Sequence, residues 1–73
     1  MQTREFRLRD DHVRLCDLLK LVGVADSGGR GKQLVSAGVV TVDGQPESRK
    51  TAKIRAGQQV ECECVRILVR APE

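Results

Sequence analysis

Aromatic side chains are almost missing from this 73-residue chain, which has no tryptophan, no tyrosine and one phenylalanine, Phe6. Sheets and barrels that hold single-stranded bases stack them on several exposed rings, and no such platform can be assembled here. Long apolar runs are missing too. The longest, Leu18 to Val24 broken by Lys20 and Val39 to Val42, are far shorter than a bilayer-spanning helix, so no membrane partner is expected. Met1 to Asp11 is mostly polar and charged, without an apolar run, and does not resemble a secretory signal. Three cysteines, Cys16, Cys62 and Cys64, cannot pair off evenly, and without a secretory signal they favour a reducing compartment. The expected location is the cytoplasm.

Length sets a further bound. A chain of this size buries only roughly 60% of its unfolded surface, so residues 1–73 are expected to form a single small domain with a thin core and no interdomain cleft. Catalysis has little to work with. His12 and Cys16, four apart, are the only possible base and nucleophile pair; no third group is evident to orient them, and helix capping accounts for Asp10, Asp11 and Asp17. No enzyme and no cofactor are expected. His12, Cys16, Cys62 and Cys64 add up to four zinc ligands, but zinc knuckles space their cysteines two or more residues apart. Packing also explains these residues, since cysteine is often buried as a small hydrophobe.

What the chain does have is a localised positive charge. Arg30, Lys32, Arg49, Lys50, Lys53 and Arg55 face only Asp43 and Glu47 between residues 30 and 55. Residues 1–29 balance five basic with five acidic groups, and residues 56–73 carry two basic and three acidic, so the net charge of +3 originates in one segment. A directed field of this kind calls for an anionic partner.

Phe6 and Leu8 alternate with Glu5, Arg7 and Arg9 and predict a short strand. Asp10 or Asp11 can then cap a helix whose apolar stripe is Leu15, Leu18, Leu19 and Val22, ended by Gly23. Asp26 or Ser27 can cap a second helix that buries Leu34 and Val35 and stops at Gly38. The β-branched run Val39 to Val42 leads into Asp43-Gly44, a strand and a hairpin turn. If residues 47–56 are extended, Arg49, Thr51, Lys53 and Arg55 share one face, and Lys50, Ala52 and Ile54 the other. Val60 with Cys62, then Ile67 with Val69, predict two more strands, and the change of apolar phase between them requires a bulge or tight turn near Glu63 to Val65. The expected fold is α+β, with two helices on one side of a small antiparallel sheet.

Gly28-Gly29-Arg30-Gly31-Lys32 is a costly way to open a helix, at about 1 kcal/mol per interior glycine relative to alanine. Two explanations are open. A helix start without side chains, flanked by Arg30 and Lys32, lets a phosphate approach the free amides; alternatively, the glycines let the second helix pack tightly on the first. It is not a nucleotide-hydrolase phosphate loop, because Asp26 stands where a glycine is required and Gln33 where a serine or threonine is.

Arg14-Leu15, Asp17-Leu18-Leu19, Gly23, the run Lys32 to Gly38, Val39, Val42-Asp43-Gly44 and Gly57 together resemble the RNA-binding domain named after ribosomal protein S-four, also called the alpha-L motif. The similarity covers about residues 12 to 62. Glu47 to Ile54 followed by Ala56-Gly57-Gln58 is similar to the small stand-alone bacterial members of the YbcJ-like type. The resemblance implies a non-catalytic module that lays the second helix and the following hairpin against structured RNA, such as ribosomal or transfer RNA. The positions it points to are Arg30, Lys32 and Gln33 on the helix, then Arg49, Lys50 and Lys53 after the hairpin, with Arg55 at the end of the same charge run. Many members carry arginine directly after the serine that caps the second helix, and Gly28 stands there in this chain. A monomer is expected, with ribosome-associated proteins as further partners. Two other readings compete: a protein-interaction module docking an acidic partner, and a zinc-stapled structural domain.

Overall fold

Alternating apolar and polar residues make strands at both ends of the chain, and the computed structural model, which describes residues 2–72, joins those ends directly. In order the elements are β1 (Gln2–Arg7), β2 (Val13–Arg14), α1 (Leu15–Leu21), α2 (Gly28–Ser36), β3 (Val40–Val42), β4 (Gln45–Pro46), β5 (Lys53–Ile54), β6 (Gln59–Cys62) and β7 (Val65–Arg70). Five strands form one sheet in the order β1-β7-β6-β3-β4, while β2 and β5 pair separately. The α+β class and both helices are as expected, but the sheet is mixed. Its other pairings are antiparallel, whereas β1 runs parallel to β7, with Gln2 opposite Val65 and Arg7 opposite Arg70. Hairpin turns impose antiparallel order on β3-β4 and β6-β7; no turn links β1 to β7, and the rest of the chain serves as the long crossover that a parallel pair needs.

Helix α1 starts differently from expectation. Neither Asp10 nor Asp11 caps it, because the chain first makes β2, and the cap position falls to Arg14, whose side chain makes no capping bond. The orphan amides find distant backbone instead: Leu15 N–H donates to the Ala52 carbonyl (2.9 Å) and Cys16 N–H to that of Lys50 (3.1 Å). Its far end closes as foreseen, with Gly23 N–H bonded to the Lys20 carbonyl. Helix α2 follows the local signals. Ser27 Oγ accepts from Arg30 N–H at 3.1 Å, Leu34 and Val35 are buried, and Gly38 stops the helix at φ +78°.

The turns account for the strand register. Asp43 and Gly44 both have positive φ, 52° and 81°, the conformation that matches the twist of a two-residue hairpin. The Asp43 carboxylate also accepts from Gln59 N–H at 2.9 Å, tying this turn to β6. Glu63 (φ 56°) and Cys64 form the second tight turn, where Cys62 pairs with Val65 and Val60 with Ile67. That pairing puts even positions of β6 and odd positions of β7 on one face, which explains the change of phase. Leu15, Leu18, Leu19, Val35, Val40 and Val60 are completely buried between this face and the helices, and no polar or charged residue is buried among the described residues. No helix among them is long and apolar enough to cross a membrane.

Candidate nucleic-acid interface

Gly31 decides where the helical cations point. It is buried against α1, where an added Cβ would lie 2.6 Å from the Cys16 carbonyl oxygen, so its neighbours Arg30, Lys32 and Gln33 all face solvent. Close helix packing therefore explains Gly31. It does not explain Gly28 or Gly29: a Cβ at Gly28 would meet nothing within 4 Å, and one at Gly29 only Ser27 Oγ at 3.9 Å. Arg30 reaches along the helix to Gln33, with its guanidinium donating to Oε1 at 3.4 Å.

The segment after the first hairpin is not one extended strand. A turn at Lys50-Thr51 interrupts it, and only Lys53–Ile54 pair, with β2. Ala52 and Ile54 are buried as alternation requires, but the turn carries Lys50 to the surface, so Arg49, Lys50, Lys53 and Arg55 are all exposed. This corrects the expectation that Lys50 would share the face of Ala52 and Ile54.

The two cation groups meet at Cys16. Its N–H donates to the Lys50 carbonyl, while its own carbonyl oxygen occupies the space that a Cβ on Gly31 would need. Residue 50 and the first turns of α2 thus adjoin a single residue of α1.

Not every cation in the segment is equally available. Glu47 takes hydrogen bonds from the Arg49 guanidinium (3.0 and 3.2 Å) and from the Arg49 backbone N–H (3.1 Å). Those bonds pull the Glu47 carboxyl down to about 2 and raise the guanidinium. Arg55 pairs with Asp11 at 3.2 Å, and Asp11 also bonds His12 at 2.8 Å; His12 first, then Arg55, holds this carboxyl below its usual range. Among the described residues, Arg30, Lys32, Lys50 and Lys53 make no salt bridge, whereas Arg14, Arg66 and Arg70 are matched by Asp17, Glu61 and Glu5. Sequence reading missed Asp11 and Glu47 as partners. Glu47 could have been found, two residues before Arg49; Asp11 meets Arg55 only through the tertiary fold.

Among the described residues no group of three or more His, Cys, Asp or Glu side chains is placed to hold a metal. Cys16 and Cys62 are buried and Cys64 is exposed, all as free thiols. Burial, then the charge of Glu63, pushes the Cys62 thiol up, partly offset by Arg30 nearby.

Comparison with known proteins connects this arrangement to others. A family model, the S4 domain, matches residues 6–70, beyond the span over which the motifs are recognisable by eye. YbcJ of Escherichia coli (strain K12) is 55% identical over 49 residues, 67% of this chain and 70% of that protein, and YbcJ of Shigella flexneri matches to the same extent. A solution structure of Escherichia coli YbcJ, described as revealing an alpha-L motif involved in RNA binding, is similar at a TM-score of 0.63 and 43% identity, over 93% of this chain and 87% of that one.

Proposed function

This chain belongs to the S4 domain family, and from that premise we propose that it is a non-catalytic, single-domain RNA-binding module of the cytoplasm whose contact surface is α2 together with the segment after the Asp43-Gly44 turn. The observation that carries the reading is that four exposed cations, Arg30, Lys32, Lys50 and Lys53, make no salt bridge among the described residues and stand on two segments that adjoin at Cys16. Lysine and arginine held on a rigid scaffold suit phosphates held at set spacings, which favours structured RNA such as ribosomal or transfer RNA over a loose polyanion. Gln33 adds a neutral donor and acceptor beside them. Arg49 and Arg55 must exchange a carboxylate for a phosphate to take part, so they contribute less per contact.

The test is the salt dependence of binding to a structured RNA fragment. Four phosphate contacts predict that log K falls with log salt with a slope of about −3 to −4, and all six cations about −5. Lys50→Glu with Lys53→Glu should reduce affinity much more than Arg66→Glu with Arg70→Glu. Equal losses would show that the surface lies elsewhere, and a slope near zero would remove the reading altogether.

A further inference from the structure

Phe6 and His12 are the only phenylalanine and histidine in the chain, and they line the same cleft. The cleft has a volume of about 380 Å³ and lies between the end of β1, the loop that follows it, the start of β2 and the end of α1. Val13 and Leu21 add to its apolar lining, and Leu21 is 60% exposed, one of two large apolar side chains left so open among the described residues. Arg7, Arg9 and Asp10 supply charge at the same place, and Arg9 makes no salt bridge among the described residues. A recess that combines the apolar side chains of Phe6, Val13 and Leu21 with two arginines, Arg7 and Arg9, against one carboxylate, Asp10, suits a flat base carrying its phosphate.

The position of the cleft agrees with that chemistry. Val13, in its wall, pairs with Ile54 across β2 and β5. Asp11, in its loop, holds Arg55 at 3.2 Å. The cleft therefore adjoins the strand pair that carries Lys53 and the loop that holds Arg55, next to the proposed RNA surface.

We propose that this cleft receives one unstacked nucleotide of the bound RNA, its base against Phe6 and Leu21 and its phosphate on Arg9. The proposal rests on the RNA-binding function above and gives that surface a preference for RNA with an unpaired residue. A single ring cannot build a stacking platform, but it is enough for one base.

Two hairpin RNAs that differ only by one bulged nucleotide test it. Wild-type protein should prefer the bulged hairpin by about five- to tenfold, the low end of what stacking one base contributes. Arg9→Ala with Leu21→Glu, both at exposed positions, should abolish the preference while leaving affinity for the paired hairpin within about twofold, whereas Lys50→Glu with Lys53→Glu should weaken both. In ¹³C-labelled protein the aromatic ring carbons belong to Phe6 and His12 alone, and they should shift with the bulged RNA and not with the paired one. Equal wild-type affinity for the two hairpins, or a preference that survives Arg9→Ala with Leu21→Glu, would overturn the cleft assignment and leave the RNA-binding function standing. Failure to bind either hairpin would overturn both.

Discussion

Replacing Gly31 by alanine sets two opposed effects against each other in a way the structure can resolve. In an isolated helix the substitution would stabilise by about 1 kcal/mol, because alanine gives up less backbone freedom on folding. In this protein the new Cβ would sit 2.6 Å from the Cys16 carbonyl oxygen and 3.3 Å from its carbon, where ordinary contact begins at 3.4 Å. The obstructing atoms are backbone, so no rotamer change relieves the clash and α2 must move off α1. Overpacking of this kind costs about 1–3 kcal/mol, and an unyielding backbone neighbour places this case in the upper part of that range. After the helical gain, the net loss is about 1–2 kcal/mol, which for a domain of this size lowers Tm by about 5–15 °C. Thermal unfolding followed by circular dichroism measures it, with Gly29→Ala as the matched control. That control should be neutral or stabilising by up to about 1 kcal/mol, since its Cβ meets only Ser27 Oγ at 3.9 Å. A Gly31→Ala protein that melts at or above wild type would refute the close helix contact and, with it, the adjacency of Lys50 to α2.

Ser27→Ala removes the one side-chain cap of α2 and should cost about 1 kcal/mol in urea unfolding, with the slope of the transition unchanged. Glu47→Gln should tighten RNA binding and steepen the salt slope by up to about 0.9, because it releases Arg49 for one more phosphate. The same pair has an acid signature. The Glu47 carboxyl is lowered on folding from 4.5 to about 2, so its contribution is complete above pH 4.5 and is lost as pH falls towards 2, and an acid titration of Glu47→Gln should lack that part of the decline. An exposed-thiol reagent should label one cysteine per folded chain, Cys64, and all three after unfolding; rapid labelling of Cys62 in the native protein would contradict its burial and its raised thiol.

How far the chain could be read in advance depended on the distance over which each signal acts. Ser27, Gly38 and Asp43-Gly44 specify their caps and turns within a few residues, and all three behave as local chemistry predicts. The change of apolar phase between Cys62 and Ile67 located the Glu63-Cys64 turn for the same reason. Features that depend on distant partners were invisible. Asp10 and Asp11 are good cap residues, yet β2 pairs with β5 and the carbonyls of Lys50 and Ala52 satisfy the start of α1 instead. The candidate surface divides in the same way. The positive segment was plain from composition, but which of its cations carry a carboxylate depends on Asp11 meeting Arg55 from 44 residues away. The glycine-rich start of α2 is divided only by the packing of α2 on α1, which commits Gly31 and leaves Gly28 and Gly29 open.

The seam between β1 and β7 bears on how the molecule comes into being. A ribosome delivers β1 first and β7 last, so the strand that completes one border of the sheet has no partner until almost all of this sequence has been made. Hairpins such as β3-β4 and β6-β7 can close over two-residue turns as they emerge, whereas the end-to-end seam carries the whole entropy of looping the intervening chain. Closure of that seam is thus the natural last event of folding, and until it occurs β7 presents an unpaired edge to any neighbouring chain.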